Sequence, residues 1–186
     1  MMAEPANIAT LYDAIERLPE GVVGEIIDGQ LHTHPRPAGP HIRASASLYL
    51  DVAGPFDRGR GGPGGWQILP EPEIHFRRNI EVLVPDIAGW RRERLPEMPE
   101  DHRFEVVPDW VCEVLSPSTA GTDRDLKMRV YARYGVPYAW LVDPRDKRVD
   151  AYKLDSGAWR HIATVAGDEP IRAAPFTAVD IPPPWA

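Results

Sequence analysis

Apolar residues in this chain alternate between helical and strand spacing, with glycine and proline marking the changes. Leu11, Ile15 and Leu18 repeat at helical spacing behind Thr10, so residues 10–18 predict a helix capped by that threonine. Residues 22–27 and 30–34 flank Asp28-Gly29, a pair suited to the positive φ of a tight hairpin turn. A second helix is predicted from His41 to Val52, with Ile42, Leu48 and Val52 as its apolar contacts. Arg58–Gly65 reads as a solvated connector, although its two arginines could touch a phosphate backbone. Three strands are then expected at Trp66–Phe76, Val82–Trp90 and Trp110–Leu115, with an irregular acidic insert, Glu93–Pro108, between the last two.

The clearest helix is Asp123–Tyr134. Thr122 with Asp125 resembles a capping box, Gly135 suits the position after the helix, and Pro137 stops continuation. Tyr138–Asp143 reads as a buried strand, and Val149–Leu154 with Trp159–Val165 as a C-terminal hairpin turning at Asp155-Ser156-Gly157. Hairpin links make antiparallel neighbours and a helical crossover makes parallel ones, so the expected fold is α/β around a mixed sheet.

At 186 residues the chain suits one domain, residues 1–186, with a core at about 40–144. No apolar run approaches the roughly 20 residues of a membrane span, and Met1–Pro5 begins no signal peptide. A cytoplasmic protein is expected. Cys112 is the only cysteine, which excludes an internal disulfide framework and a cysteine-based zinc site. A net charge of −7 argues against a general nucleic-acid coat protein. The charge is uneven: residues 1–30 carry −5 and residues 122–148 carry +3, so the second stretch is a candidate phosphate-binding face.

The chemistry concentrates on Asp86 and Glu113. Each is a carboxylate in an otherwise apolar run, Glu81–Ala88 and Trp110–Leu115, where an ionised acid is costly without a metal or a cation beside it. Hard cations such as Mg²⁺ take oxygen ligands, often one or two carboxylates plus phosphate and water. Strand alternation puts Glu113 with Val111 and Leu115 on one face and Cys112 on the other. Lys127, Tyr131 and Tyr134 form one stripe on the following helix, from which Lys127 could reach the acids. Asp86, Glu113 and Lys127 together meet the needs of metal-dependent phosphodiester hydrolysis, with the lysine stabilising or helping to deprotonate the attacking water.

Pro85-Asp86, Glu113-Val114-Leu115-Ser116-Pro117-Ser118-Thr119, Asp123, Lys127, Tyr131, Gly135-Val136 and Tyr138–Pro144 resemble the Uma-two (Uma2) family. Glu25–Leu31 is similar to that family's N-terminal hairpin, and the resemblance runs over roughly residues 10–180. It implies a restriction-endonuclease-like core of the PD-(D/E)XK superfamily, with N- and C-terminal hairpins added. It further implies a Mg²⁺-dependent endonuclease (Mn²⁺ as substitute) acting on DNA. The lysine expected two residues after Glu113 is Leu115 here, and the resemblance implies that Lys127 on the helix replaces it.

Bland readings stand beside these. Asp86 could cap a strand end, Glu113 could pair with an arginine, Lys127 could snorkel, and Glu25 could be either a third metal ligand or an exposed strand residue. Ser116 and Ser118 suit turn or cap roles, and His32, His34 and His41 give a weak zinc alternative. The competing function is a nuclease-like fold that no longer cleaves and serves in binding or assembly. Cutting both strands of a duplex favours a homodimer, for which the tryptophans near strand ends and the C-terminal hairpin offer apolar surface.

Overall fold

The computed structural model describes residues 10–35, 38–116 and 120–185. Helix α1 (Leu11–Glu16) starts at a capping box, in which Thr10 Oγ1 accepts from the Asp13 N–H and the Asp13 carboxylate accepts from the Thr10 N–H. Strands β1 (Val22–Ile27) and β2 (Gln30–Pro35) form the predicted hairpin, with Asp28 at φ 51° and Gly29 at φ 73°. Helix α2 runs further than predicted, Gly39–Phe56, and buries Ala44, Leu48, Val52 and Phe56 at intervals of four. Ile42, expected to pack, is 52% exposed; His41, one residue earlier, faces inward.

Two of the long predicted strands are each broken in two. Trp66–Phe76 divides into β3 (Trp66–Pro70) and β4 (Glu73–Arg77), and Val82–Trp90 into β5 (Glu81–Leu83) and β6 (Ile87–Arg91). The breaks fall at Glu71, which sits at φ 46° between two prolines, and at Val84-Pro85-Asp86, where proline has no N–H to give a ladder. The insert contributes only the two-residue β7 (Arg103–Phe104). Then follow β8 (Trp110–Val114), a π-helical stretch Thr122–Lys127, α3 (Met128–Arg133), β9 (Tyr138–Asp143), β10 (Arg148–Asp155) and β11 (Ala158–Ala166). A short pair unforeseen from the sequence, β12 (Ile171–Ala173) and β13 (Phe176–Ile181), follows.

The breaks carry the chain between two sheets. One sheet has the order β2-β1-β5-β4-β7, and the central sheet has the order β11-β10-β9-β8-β6-β3. β8 and β9 are parallel across the helical crossover and their other central neighbours are antiparallel, so the sheet is mixed as expected. One face of the central sheet (Ile68, Trp110, Cys112, Val114, Trp140, Val142) packs against α2 and the β12–β13 pair. The other (Ala88, Trp90, Val111, Ala139, Leu141) packs against α3 and the second sheet. Trp66, Trp90, Trp110 and Trp140 are at most 2% exposed and build the core, while Trp159 on the C-terminal hairpin and Trp185 stay partly exposed. No described helix is long and apolar enough to cross a membrane.

Candidate functional site

The break between β5 and β6 puts Asp86 at the seam between the sheets. β6 pairs with β8 so that Ile87 faces Cys112; Asp86, one residue earlier, comes beside Glu113 at the end of β8. Asp86 Oδ2 accepts from the Val114 N–H at 2.7 Å, which ties the carboxylate to Glu113's own strand. Glu113 points to the face of Val111 and Leu115, toward the helix, with Cys112 on the opposite face as the alternation predicts.

The crossover helix is built differently from its prediction. Helical structure is already present at Ala120, whose N–H donates to Ser116 O at 2.9 Å, so Thr122 lies inside the helix and caps nothing. Thr122–Lys127 is π-helical, a widened turn often found at functional positions. Asp123, Lys127 and Tyr131 all face inward and are at most 4% exposed. The end of the helix follows expectation: Gly135 adopts φ 77° and its N–H donates to Ala132 O.

Lys127 Nζ lies 3.0 Å from Glu25 Oε1, 3.1 Å from Glu113 Oε2 and 3.6 Å from Asp123 Oδ1, and donates to Val84 O at 3.2 Å. Asp86 is not among its ion-pair partners. The Tyr131 hydroxyl donates to the other Glu113 oxygen. Glu25 also accepts from the Val84 N–H at 2.7 Å, so β1 and the strand break are bound to the same centre. Glu25 is 1% exposed, which removes the reading of an exposed strand residue.

Four acids around one ammonium leave the centre short of positive charge. Burial, reinforced by Asp123, Asp86 and Glu25, pushes the Glu113 carboxyl well above its usual range against the pull of Lys127. Burial also raises Glu25, but Lys127, His34 and the Val84 N–H outweigh it and hold that carboxyl below its usual value. Burial pulls the Lys127 ammonium down, yet Glu113, Glu25, Asp123 and Asp86 together hold it well above normal. These acids therefore favour the charged, ammonium form of Lys127.

Two histidines flank the acids. His34 Nε2 lies 3.6 Å from Glu25 Oε2, and His41 Nε2 lies 3.2 Å from Asp86 Oδ1. The buried Nδ1 of His41 has no hydrogen-bond partner among the described residues. Both rings line a cavity of about 850 Å³ together with Asp86, Glu113, Asp123 and Lys127, and Val23, Pro35, Ala38, Pro40, Leu115 and Pro144 give it apolar walls. Among the described residues no three His, Cys, Asp or Glu side chains are grouped as a preformed metal site, so nothing supports the three-histidine zinc reading. The carboxylates converge on the ammonium instead.

Sequence reasoning did not single out Asp123 as a site residue and weighed His41 only as a zinc ligand. Asp123, Lys127 and Tyr131 recur every fourth residue, a polar stripe on an otherwise packed helix, which was the available signal. The basic stretch 122–148 is mostly committed within the fold. Arg124 pairs with Asp143, Arg133 with Asp28 and Glu81, and Arg148 with Asp150. Arg145, on the cavity rim and exposed, forms no ion pair among the described residues. Ser116 also lines the cavity, while Ser118 lies outside the described residues.

The Uma2 family model, described as "putative restriction endonuclease", matches residues 11–182. A crystal structure described as a putative nuclease belonging to DUF820, from Anabaena variabilis, superposes with a TM-score of 0.71 at 21% identity, covering 91% of this chain and 93% of that one. No curated protein matches the chain. The structural likeness shows the fold: an α/β, restriction-endonuclease-like core with a mixed central sheet flanked by helices.

Proposed function

Because the chain belongs to the Uma2 family of putative restriction endonucleases, we propose that it is a divalent-metal-dependent endonuclease hydrolysing phosphodiester bonds of DNA. The observation that carries this reading is the convergence of Glu25, Glu113 and Asp123 on the buried Lys127 ammonium, with Asp86 beside them in one cavity. Acids are not gathered this densely in a protein interior without a cation.

The donor set fits Mg²⁺ or Mn²⁺. It consists of hard oxygens, and an ammonium already sits in the middle of it as a resident cation. Asp86 and Glu113 would hold the metal, with Glu25 as the third ligand. When bound, such an ion neutralises charge on the phosphate and makes a nearby water more acidic. Lys127 would turn one of its three N–H groups, now engaged by Glu25, Glu113 and the Val84 carbonyl, to a phosphate oxygen as negative charge builds there. Tyr131 and the Val114 N–H hold Glu113 and Asp86 in orientation. Arg145 at the rim meets the backbone phosphates of the substrate, and binding there weakens with salt.

Incubation with plasmid and oligonucleotide DNA in Mn²⁺ or Mg²⁺ should give cleavage that EDTA stops and that Asp86→Asn lacks. Metal-independent cleavage, or full cleavage by Asp86→Asn, would sink the proposal. One observation favours the alternative, a non-cleaving binding module: three carboxylates are already engaged by Lys127, and among the described residues none are grouped around a second point. No Mn²⁺ uptake by calorimetry, together with no cleavage of any nucleic acid, would transfer the assignment to that module.

A further inference from the structure

We infer that the DNA entering this site is unpaired, a single strand or a locally opened segment, and not an intact duplex. The inference rests on the proposed nuclease reading and adds the form of the substrate. Its first ground is depth. The side chains of Glu25, Glu113, Lys127 and Asp123 are between 2% and 5% exposed, and that of Asp86 is 13% exposed. A phosphate must come into direct contact with such groups to be attacked. A duplex lying across the outside of the protein offers its phosphates on a rigid surface whose major groove alone is about 12 Å wide, and reaches the floor of such a cavity less readily than a flexible single strand does.

The second ground is size. A space of about 850 Å³ lies within the roughly 300–1,000 Å³ range that encloses one small organic molecule. It holds a nucleotide or two and no helical turn. The third is the chemistry of the walls. Pro35, Ala38, Pro40 and Pro144 give apolar surface for a base and sugar. Glu71, also on the wall and exposed, presents acceptors for the amino groups on a base edge. A duplex shows part of these edges in its grooves, but only an unpaired base can turn its whole pairing edge into the cavity while its phosphate lies on the floor.

An unpaired strand needs one site per chain, so this substrate does not call for a two-fold dimer. Unpairing a duplex costs free energy that a single strand does not have to supply. The difference falls on cleavage rate and on affinity together.

The test uses one labelled sequence as a single strand, as a blunt duplex, and as a duplex with a central mismatched bubble, each with Mn²⁺. The single strand should be cut faster than the blunt duplex by on the order of tenfold or more, and the bubbled duplex should be cut within the bubble. Equal or faster cutting of the blunt duplex overturns the inference. A parallel measurement keeps it decidable if nothing is cut, an outcome that would count against the nuclease reading itself. Fluorescence anisotropy with Glu113→Gln should show tighter binding of the single strand, although the duplex carries the denser charge. Equal or tighter duplex binding overturns the inference independently of catalysis. Single-stranded RNA of the same sequence, cut faster than the DNA, would overturn DNA as the substrate.

Discussion

Replacing Lys127 with methionine removes the charge and keeps most of the side-chain volume, so the change reads electrostatics with little cavity cost. Three carboxylates, Glu25, Glu113 and Asp123, then lose a counter-charge at 3.0, 3.1 and 3.6 Å inside a nearly dry interior. Removing one partner of a buried ion pair costs about 3–5 kcal/mol. The adjoining cavity admits water and Glu113 can take up a proton, so the lower end, about 3 kcal/mol, is expected. For a chain of this size that lowers the melting temperature by roughly 6–12 °C. The pH dependence has a definite sign. Without the ammonium the carboxyls have folded-state pKa values above their unfolded ones. Such acids destabilise the fold above the unfolded pKa and cease to do so below it. The deficit of Lys127→Met should therefore be larger at pH 8 than at pH 5, and Mn²⁺ should recover part of it at pH 8. Thermal melts of both proteins at the two pH values, with EDTA and with Mn²⁺, measure all of this. If Lys127→Met melts within about 2 °C of wild type at pH 8, the ammonium is not what holds these acids together.

Asp86→Asn keeps the shape and the acceptor for the Val114 N–H, so it should melt within about 4 °C of wild type while losing cleavage and Mn²⁺ uptake by calorimetry. Asp150 is 4% exposed; burial raises its carboxyl, but hydrogen bonds from Arg148 and Thr164 outweigh this and hold it below the usual value. Its stabilisation is present above the ordinary aspartate pKa of about 3.9 and is lost as pH falls through the lowered one. Asp150→Asn should thus cost about 1–3 kcal/mol at pH 7 in urea titrations and show a shallower loss of stability below about pH 4. Gly62→Ala would place a methyl 2.4 Å from Pro55 Cβ and 2.8 Å from the Pro55 carbonyl oxygen. The clash is partly with backbone that cannot step aside, so a loss of about 1–3 kcal/mol by the same titration is expected.

Much of the fold was legible because turns announce themselves. Asp28-Gly29, Ser156-Gly157 and Gly135 all adopt the positive φ their residue types favour. The division of two long strands between sheets is not evident in the sequence, since Pro70-Glu71-Pro72 and Val84-Pro85-Asp86 interrupt strand-like segments that resume directly on either side. That division is what gives Asp86 its place, so the residue was identifiable while its setting was not. Lys127 was expected to project toward Asp86 and Glu113 together; it pairs with Glu113, while Asp86 is not among its ion-pair partners. Its further attachment to Glu25, 102 positions away in sequence, depends on a sheet-to-sheet contact that no local pattern encodes. The π-helical geometry was equally hidden, because Thr122 and Asp125 imitate a cap that the structure does not use.

That widened turn makes the centre sensitive to backbone register as well as to residue identity. A π-helical turn closes its hydrogen bonds over five residues where an α-helix closes them over four, so it takes up one extra residue while the residues on either side keep their faces. Deleting a single residue within Thr122–Lys127 would let the turn relax to the α register with those faces kept. Closing the same six residues in the α register, with no deletion, would instead rotate what precedes them by about 100° relative to Tyr131. Asp123 would then turn away from Glu113 and Lys127. Among proteins carrying these side chains, the register of this turn, and not the bare count of residues between strand and helix, is the marker of an intact centre.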